Sequence, residues 1–284
     1  MSRGFHAGEQ QAQKLAGVLA DAGAIRDFMP DQHRSFFAAL PFVLLATVDD
    51  AGWPGAQVLS AAPGFVDSPD RLTLRVAAPT GLAPGRAAGL LGLDFGTRRR
   101  NRANGRVRSA GPDGFVMDLL ESFGNCAQHI TLRDVRAVAA QQHPVVPLAG
   151  LDQAARALVA RADTFFVAAS GGAHGLDMAH RGGPRGFVRI DGDTLEIPDF
   201  AGNRYFNTFG NMLLDPRAAL LFIDFESGDV LTLQGRTVID WDRSAAAPGA
   251  HGGRRWRFTP QRGTFQPAAL ALRWTDRAAS VRTA

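Results

Sequence analysis

Leu90–Phe95 reads LLGLDF, and Leu220–Phe225 reads LLFIDF. Just downstream, NGRV (Asn104–Val107) is answered by QGRTV (Gln234–Val238), and both pairs are offset by 130 positions. Working outward, PGFVDSPDRLTL (Pro63–Leu74) returns as RGFVRIDGDTLEI (Arg185–Ile197) at an offset of 122. DQHRSFFAAL from Asp31, followed by FVLLATV from Phe42, returns at an offset of 121 as DQAARALVARA from Asp152, followed by TFFVAAS. Four matches in one order predict a duplicated unit, and a repeat of this length decides the fold before any single motif does.

Each copy reads alike. Leu151, Ala154, Ala155, Leu158 and Val159 fall at helical spacing and predict a short amphipathic helix. Strands follow at short intervals, separated by Gly-Gly, Asp-Gly and Ser-Gly turns, a pattern of antiparallel barrels or sandwiches and not of a parallel βαβ sheet. LTLQGRTVIDW alternates with period two on both sides of Gly235, which predicts a bulge there. The expected divisions are an N-terminal helical extension (1–30), a first half (31–145), a second half (146–242) and a C-terminal tail (243–284) with one more strand near Ala269–Trp274. The joint falls in QQHPVVPLAG (Gln141–Gly150).

Composition narrows the function. Of 284 residues, 45% are hydrophobic and 20% charged, an ordinary globular balance, and 32 Gly with 16 Pro fit a turn-rich chain. No apolar run is long enough to cross a membrane, and Met1–Gln13 is polar, without a signal-peptide core. Cys126 is the single cysteine, which excludes an intrachain disulfide, a CxxC redox pair and an all-cysteine zinc site and suits a cytoplasmic location. Lys14 is the single lysine, and no P-loop is present. A formal net charge of +4 is no sign of nucleic-acid binding. The GxSxG, HExxH and GxGxxG signatures are absent, and His174 and His180 make only a weak metal pair, so no metal is expected. Chemistry would then come from a cofactor.

The richest stretch is HRGGPRGFVRIDGDTLEIPDFAGNRYFNTFGNMLLDPRAALLFIDF (His180–Phe225). Asn203, Arg204, Asn207 and Thr208 gather at the start of an expected helix, Asn207–Leu214, where free N–H groups and a planar guanidinium suit a phosphate. The plain alternative is a capped helix with a solvated Arg. In the first half, TRRRNRANGRVR carries six arginines and no acid, an anion-facing wall or a solvated hairpin. ESFGNCAQHI sets Cys126 near His129, either as a reactive thiol or as an inert core residue.

PRGFVRI, IPDFAGNRYFNTFGN and DPRAALLF resemble the FMN-binding split-barrel proteins of the pyridoxamine 5'-phosphate oxidase family, as do DDAGWPGAQVLSAAPGFVDSPDRLTL, TRRRNRANGRV and ESFGNCAQHI in the first half. The resemblance spans about residues 5–242 and matches the larger tandem members of the group. It implies a mainly β chain with short helices, built as two tandem antiparallel split β-barrels that bind FMN between them. Asn203, Arg204, Asn207 and Thr208 would hold the phosphate, and Arg185, Phe187 and Val188, on a strand, would line the ring. Arg99, Asn101 and Arg102 would close the site from the other half. The strict oxidases' Ser-Arg-Lys triplet is replaced here by Asn203-Arg204 and Asn207-Thr208, which points away from pyridoxamine phosphate as substrate. The expected activity is flavin-dependent oxidoreduction of a small substrate or nicotinamide cofactor, with no catalytic side chain assigned. A non-catalytic flavin binder, an electron-transfer partner of a separate reductase and a deazaflavin enzyme stay open, as does a homodimer of the tandem chain.

Overall fold

The computed structural model describes residues 4–200, 202, 204–242 and 254–277. Helices α1 (Ala7–Ala16) and α2 (Asp31–Ala38) precede strands β1 (Phe42–Val48), β2 (Pro54–Ser60), β3 (Val66–Asp70), β4 (Thr73–Val76), β5 (Ala87–Asp94), β6 (Arg99–Gly111) and β7 (Gly114–Gly124). Next come β8 (Arg133–Ala137), β9 (Val146–Leu148), α3 (Gln153–Arg161), β10 (Thr164–Ser170), β11 (Leu176–Gly182), β12 (Arg189–Asp191) and β13 (Thr194–Pro198). The chain closes with α4 (Asn207–Leu214), β14 (Arg217–Ile223), β15 (Val230–Asp240), β16 (Arg255–Gln266) and β17 (Leu272–Asp276).

The duplication is explicit in the strand order. The first sheet runs β2-β1-β5-β6-β7-β4-β3 and the second β11-β10-β14-β15-β16-β13-β12, with β9 added against β16. Every pairing is antiparallel, and adding nine to each first-half strand number reproduces the second path. Each sheet wraps one core: Val43, Leu45, Leu74, Leu90, Val107 and Met117 fill the first, and Phe165, Val167, Leu195, Leu220, Leu233 and Phe258 the second. Among the described residues no pairing joins β2 to β3 or β11 to β12, so the sheets are curled but not closed into barrels.

The bulge expected at Gly235 is present, between Gln234 and Gly235, and its counterpart lies between Asn104 and Gly105. Glycine is dictated by close approach at both. A Cβ on Gly105 would collide with the Asp118 carbonyl, and one on Gly235 with that of Thr259.

The halves pack face to face. In β1, Val43 and Leu45 enter the first core while Phe42, Leu44 and Ala46 enter a third cluster with Phe166, Ala168, Leu91, Ala219 and Leu221. Burial on both faces explains why β1 and β10 read as continuous apolar runs instead of alternating. The repeat's own Phe95 and Phe225 meet at this seam, ring centroids 5.1 Å apart, with Trp274 against both and the Arg133 guanidinium over both.

Two expectations need correction. The second half does not end at residue 242, because β16 sits between β15 and β13 and completes the sheet. The further strand expected near Ala269–Trp274 is present as β17 (Leu272–Asp276), paired with β8 as a separate ribbon. Arg185–Val188 is a turn, not a strand: Pro184 starts it, Gly186 takes φ 75°, and the Phe187 N–H donates to the Pro184 carbonyl. Regular pairing resumes only at β12.

Candidate functional site

A cavity of about 230 Å³ opens where the end of the first half meets the second. Arg100, Arg102 and the 124–129 segment form one wall; β11, Phe187, Phe200 and the loop before α4 form the other.

Strand periodicity aims the first wall. On β6, Ala103 and Val107 point into the first core, while Arg100, Arg102 and Asn104 stand on the opposite face and reach the second half. Arg102 Nη1 lies 3.4 Å from Asp177 Oδ1 and 3.5 Å from Asn207 Oδ1. Asp177 also accepts from Asn104 at 2.7 Å and from Asn211 at 3.0 Å. Arg181 donates to Asp199 at 3.3 Å, and Arg254 holds the other oxygen of that carboxylate at 3.0 Å. Arg100 has no carboxylate among the described residues; it donates to His180 Nδ1 at 2.9 Å.

This contact fixes the histidine. Arginine only donates, so Nδ1 accepts and the ring proton sits on Nε2. Burial, then the charges of Arg100 and Arg181, hold the imidazole well below its ordinary pKa, so it is neutral. Burial, then Arg102 and Arg181, bring Arg100 down to about 10, and burial lowers Arg181 as well. The cluster therefore stays cationic at neutral pH in a desolvated place.

Its hydrogen bonding is incomplete. Arg100 Nε, Arg102 Nε, Arg181 Nε and Nη2, His180 Nε2 and Asn125 Oδ1 are buried without a partner, and all belong to residues lining this cavity. An unmet buried donor costs about 1–3 kcal/mol. Five unmet donors on residues lining one cavity suit an anion. Phe187, stacked on Phe165 and tilted against Phe200, and His129, stacked on Phe200, supply flat apolar surface beside them.

The residues singled out in the sequence divide. Arg102, Phe187 and Arg204 line the cavity, Arg204 exposed at its mouth. Asn203 lies outside the described residues. Asn207 and Thr208 are buried; Asn207 faces a different guest, and the Thr208 hydroxyl has no partner among the described residues. Asn207 is the first residue of α4, not its cap; the cap is Phe206, in the left-handed region at φ 60°. The Asn207 amide donates to Glu9 of α1, which packs on α4 through Gly8 and Gly210. The Glu9 carboxyl is pushed up to about 7, by burial first and then by Asp177. His6 caps α1 and meets Asn211 at 3.0 Å. The start of α4 is thus filled by the chain's own N-terminal helix.

Arg185 pairs with Asp276 at 2.9 Å and Val188 is buried in the second core, both away from the cavity. Arg99 lies over the Phe36 ring at 4.8 Å. Asn101 is buried one strand position out of phase with Arg100 and Arg102. Sequence reasoning missed Arg100, His180 and Arg181; the signal was the two-residue alternation around Arg102 and the adjacent pair His180-Arg181. Cys126 is exposed and lines the cavity rim. No group of three metal-ligating side chains occurs among the described residues, and none of their helices is long and apolar enough to cross a membrane.

No family model matches the chain, and no curated protein does. Solved structures do. A Clostridium acetobutylicum protein related to general stress protein 26, of the pyridoxinephosphate oxidase family, is 14% identical with a TM-score of 0.31, covering 43% of this chain and 92% of its own. A FAD-binding protein of Mesorhizobium loti is 12% identical with a TM-score of 0.31, covering 43% of this chain and 97% of its own. An F420 reductase is 15% identical with a TM-score of 0.27, covering 41% of this chain and 94% of its own. Each of these likenesses covers less than half of this chain.

Proposed function

We propose that the cavity between the halves binds FMN, and that the chain is a flavoprotein oxidoreductase acting on a small substrate. The observation that supports this reading is the set of buried guanidinium donors without acceptors, beside Phe187, Phe200 and Tyr205 at the seam. Arg100, Arg102 and Arg181 would take the phosphate, and Arg204 would close the mouth. This moves the anion from the start of α4, where Glu9 sits, to the guanidinium cluster. Phe187 and Phe200 would flank the ring, and the His180 Nε2–H would offer a fixed neutral donor. When bound, the flavin supplies two-electron transfer, while the protein supplies position and field.

The test is a titration of the purified chain with FMN, followed by flavin fluorescence. Saturation at one equivalent is expected, and Arg181→Met should weaken binding about 10- to 100-fold, as loss of a charged hydrogen bond does. A flat titration of the folded wild type removes the reading. The absorption spectrum of the ligand released on denaturation separates FMN from a deazaflavin. Reduction by NADH or NADPH, with and without an added reductase, separates an enzyme from a binder or electron-transfer partner.

A further inference from the structure

A second cavity, of about 490 Å³, shares no lining residue with the first. It lies between the end of α3, the end of β14 and the β8–β17 ribbon. Arg133 Nη1, Thr164 Oγ1 and Trp274 Nε1 are buried without a partner among the described residues; all three residues line this space, and Arg133 and Trp274 stand in the wall it shares with a neighbouring cavity beside α2. Their residues are only 3%, 1% and 3% exposed. The other nitrogens of Arg133 are engaged: Nη2 with Asp163 at 2.5 Å and Nε with Asp276 at 2.9 Å. Nη1 is therefore the donor left over, on a guanidinium held rigidly between two carboxylates and the Phe225 ring, 4.2 Å away.

We propose that this cavity is a binding site for a small carboxylate with an apolar body. Three unmet donors of different chemistry, a guanidinium, a hydroxyl and an indole, belong to residues lining one space, and a carboxylate can accept from all of them. The lining carries five arginines against four carboxylates, an excess of one positive charge, which a monoanion neutralises and a phosphate dianion overshoots. Leu158, Ile223, Phe225 and Trp274 provide the surface against which the body of the ligand packs. The proposal stands apart from the flavin reading, because no residue is common to the two cavities.

The experiment is calorimetric titration of the full chain with benzoate, and separately with inorganic phosphate. Saturable binding of one benzoate is expected, tighter than phosphate. Thr164→Val removes the hydroxyl at nearly constant shape and should weaken benzoate about tenfold, the lower end of the range for a hydrogen bond to a charged group. Trp274→Phe should do likewise, and FMN titration should be unchanged in both variants. Absence of saturable benzoate binding, tighter binding of phosphate, or a benzoate Kd unchanged in Thr164→Val would each overturn the proposal; Thr164→Val decides the matter if Trp274→Phe does not fold.

Discussion

The seam between the halves has two ends related by the duplication, and they have opposite chemistry. The seven-pair ladders of β1 with β2 and of β10 with β11 align Val58 with His180 and Leu59 with Arg181. The β5–β6 and β14–β15 ladders align Arg100 with Val230 and Arg102 with Thr232. At one end, then, Arg100 meets His180 beside Arg102 and Arg181. At the other, Val58 and Val230 pack against the shared apolar cluster. The backbone is the same, β11 lying on β5 and β6 as β2 lies on β14 and β15. The frame is carried by apolar contact, and one copy of a duplicated position was free to become a charged cavity while the other kept the halves together.

The largest test strikes the features the copies share. Gly105→Ala and Gly235→Ala each drive a methyl into a backbone carbonyl at the matching bulge. Each should destabilise the chain by about 3 kcal/mol, the upper range for overpacking. Equal losses in urea denaturation would show that the two sheets depend on the same device; a much smaller loss in one would break the equivalence.

The next test addresses a feature of one end only. Glu9 sits against α4, and the first half has no helix between β4 and β5 to receive such a guest. With its folded pKa raised from 4.5 to about 7, the unfolded chain releases this proton earlier than the folded one. Its contribution to stability therefore falls as pH rises from about 4.5 to 7 and is level above. Asp177, Glu121 and His6 face the same carboxyl. Glu9→Gln keeps an oxygen for Asn207 and removes the charge. It should flatten that pH dependence and stabilise the protein at pH 8 by up to about 3 kcal/mol, measured by denaturation at pH 5 and pH 8.

The smallest test compares the equivalents Asn104 and Gln234. Asn104 donates to Asp177 inside the charged end, whereas Gln234 donates to the Pro54 carbonyl at 2.8 Å at the outer edge of the other end. Gln234 also accepts from the exposed Arg262 guanidinium at 2.7 Å. Asn104→Ala should cost about 1.5–3 kcal/mol, because its partner Asp177 is charged and buried, and Gln234→Ala about 1 kcal/mol, because one of its partners is neutral and the other solvent-exposed.

The duplication was legible because the chain repeats what local geometry demands: Asp94 and Asp224 each cap a turn with a carboxylate, and Gly105 and Gly235 each admit a crossing carbonyl. The amphipathic helix ahead of β10 was legible from apolar spacing, and Leu158 and Val159 are buried as that spacing requires. The site was only partly legible. Period two says that Arg100 and Arg102 share a face, but not which face meets the other half, so the sequence alone does not separate Arg99 and Asn101 from Arg102. The docking of α1 on α4 depends on two glycines some 200 positions apart, Gly8 and Gly210, and no local pattern announces it. The turn at Arg185 follows from Pro184 and Gly186, residues whose backbone preferences outweigh the apolar run beyond them.

Arg133 stands where the two copies of the repeat touch, its guanidinium over Phe95 and over Phe225. Two separate identical chains would each bring such a residue to their common axis, and two like cations would compete for one pair of rings. Fusing the copies into a single polypeptide lifts that restriction. One arginine, on β8, can occupy the axis with no second arginine opposite it, because β17 answers β8 without repeating that residue there, and it takes Asp163 from one side. Covalent linkage thus gives this molecule an asymmetric keystone that no self-associating half could possess.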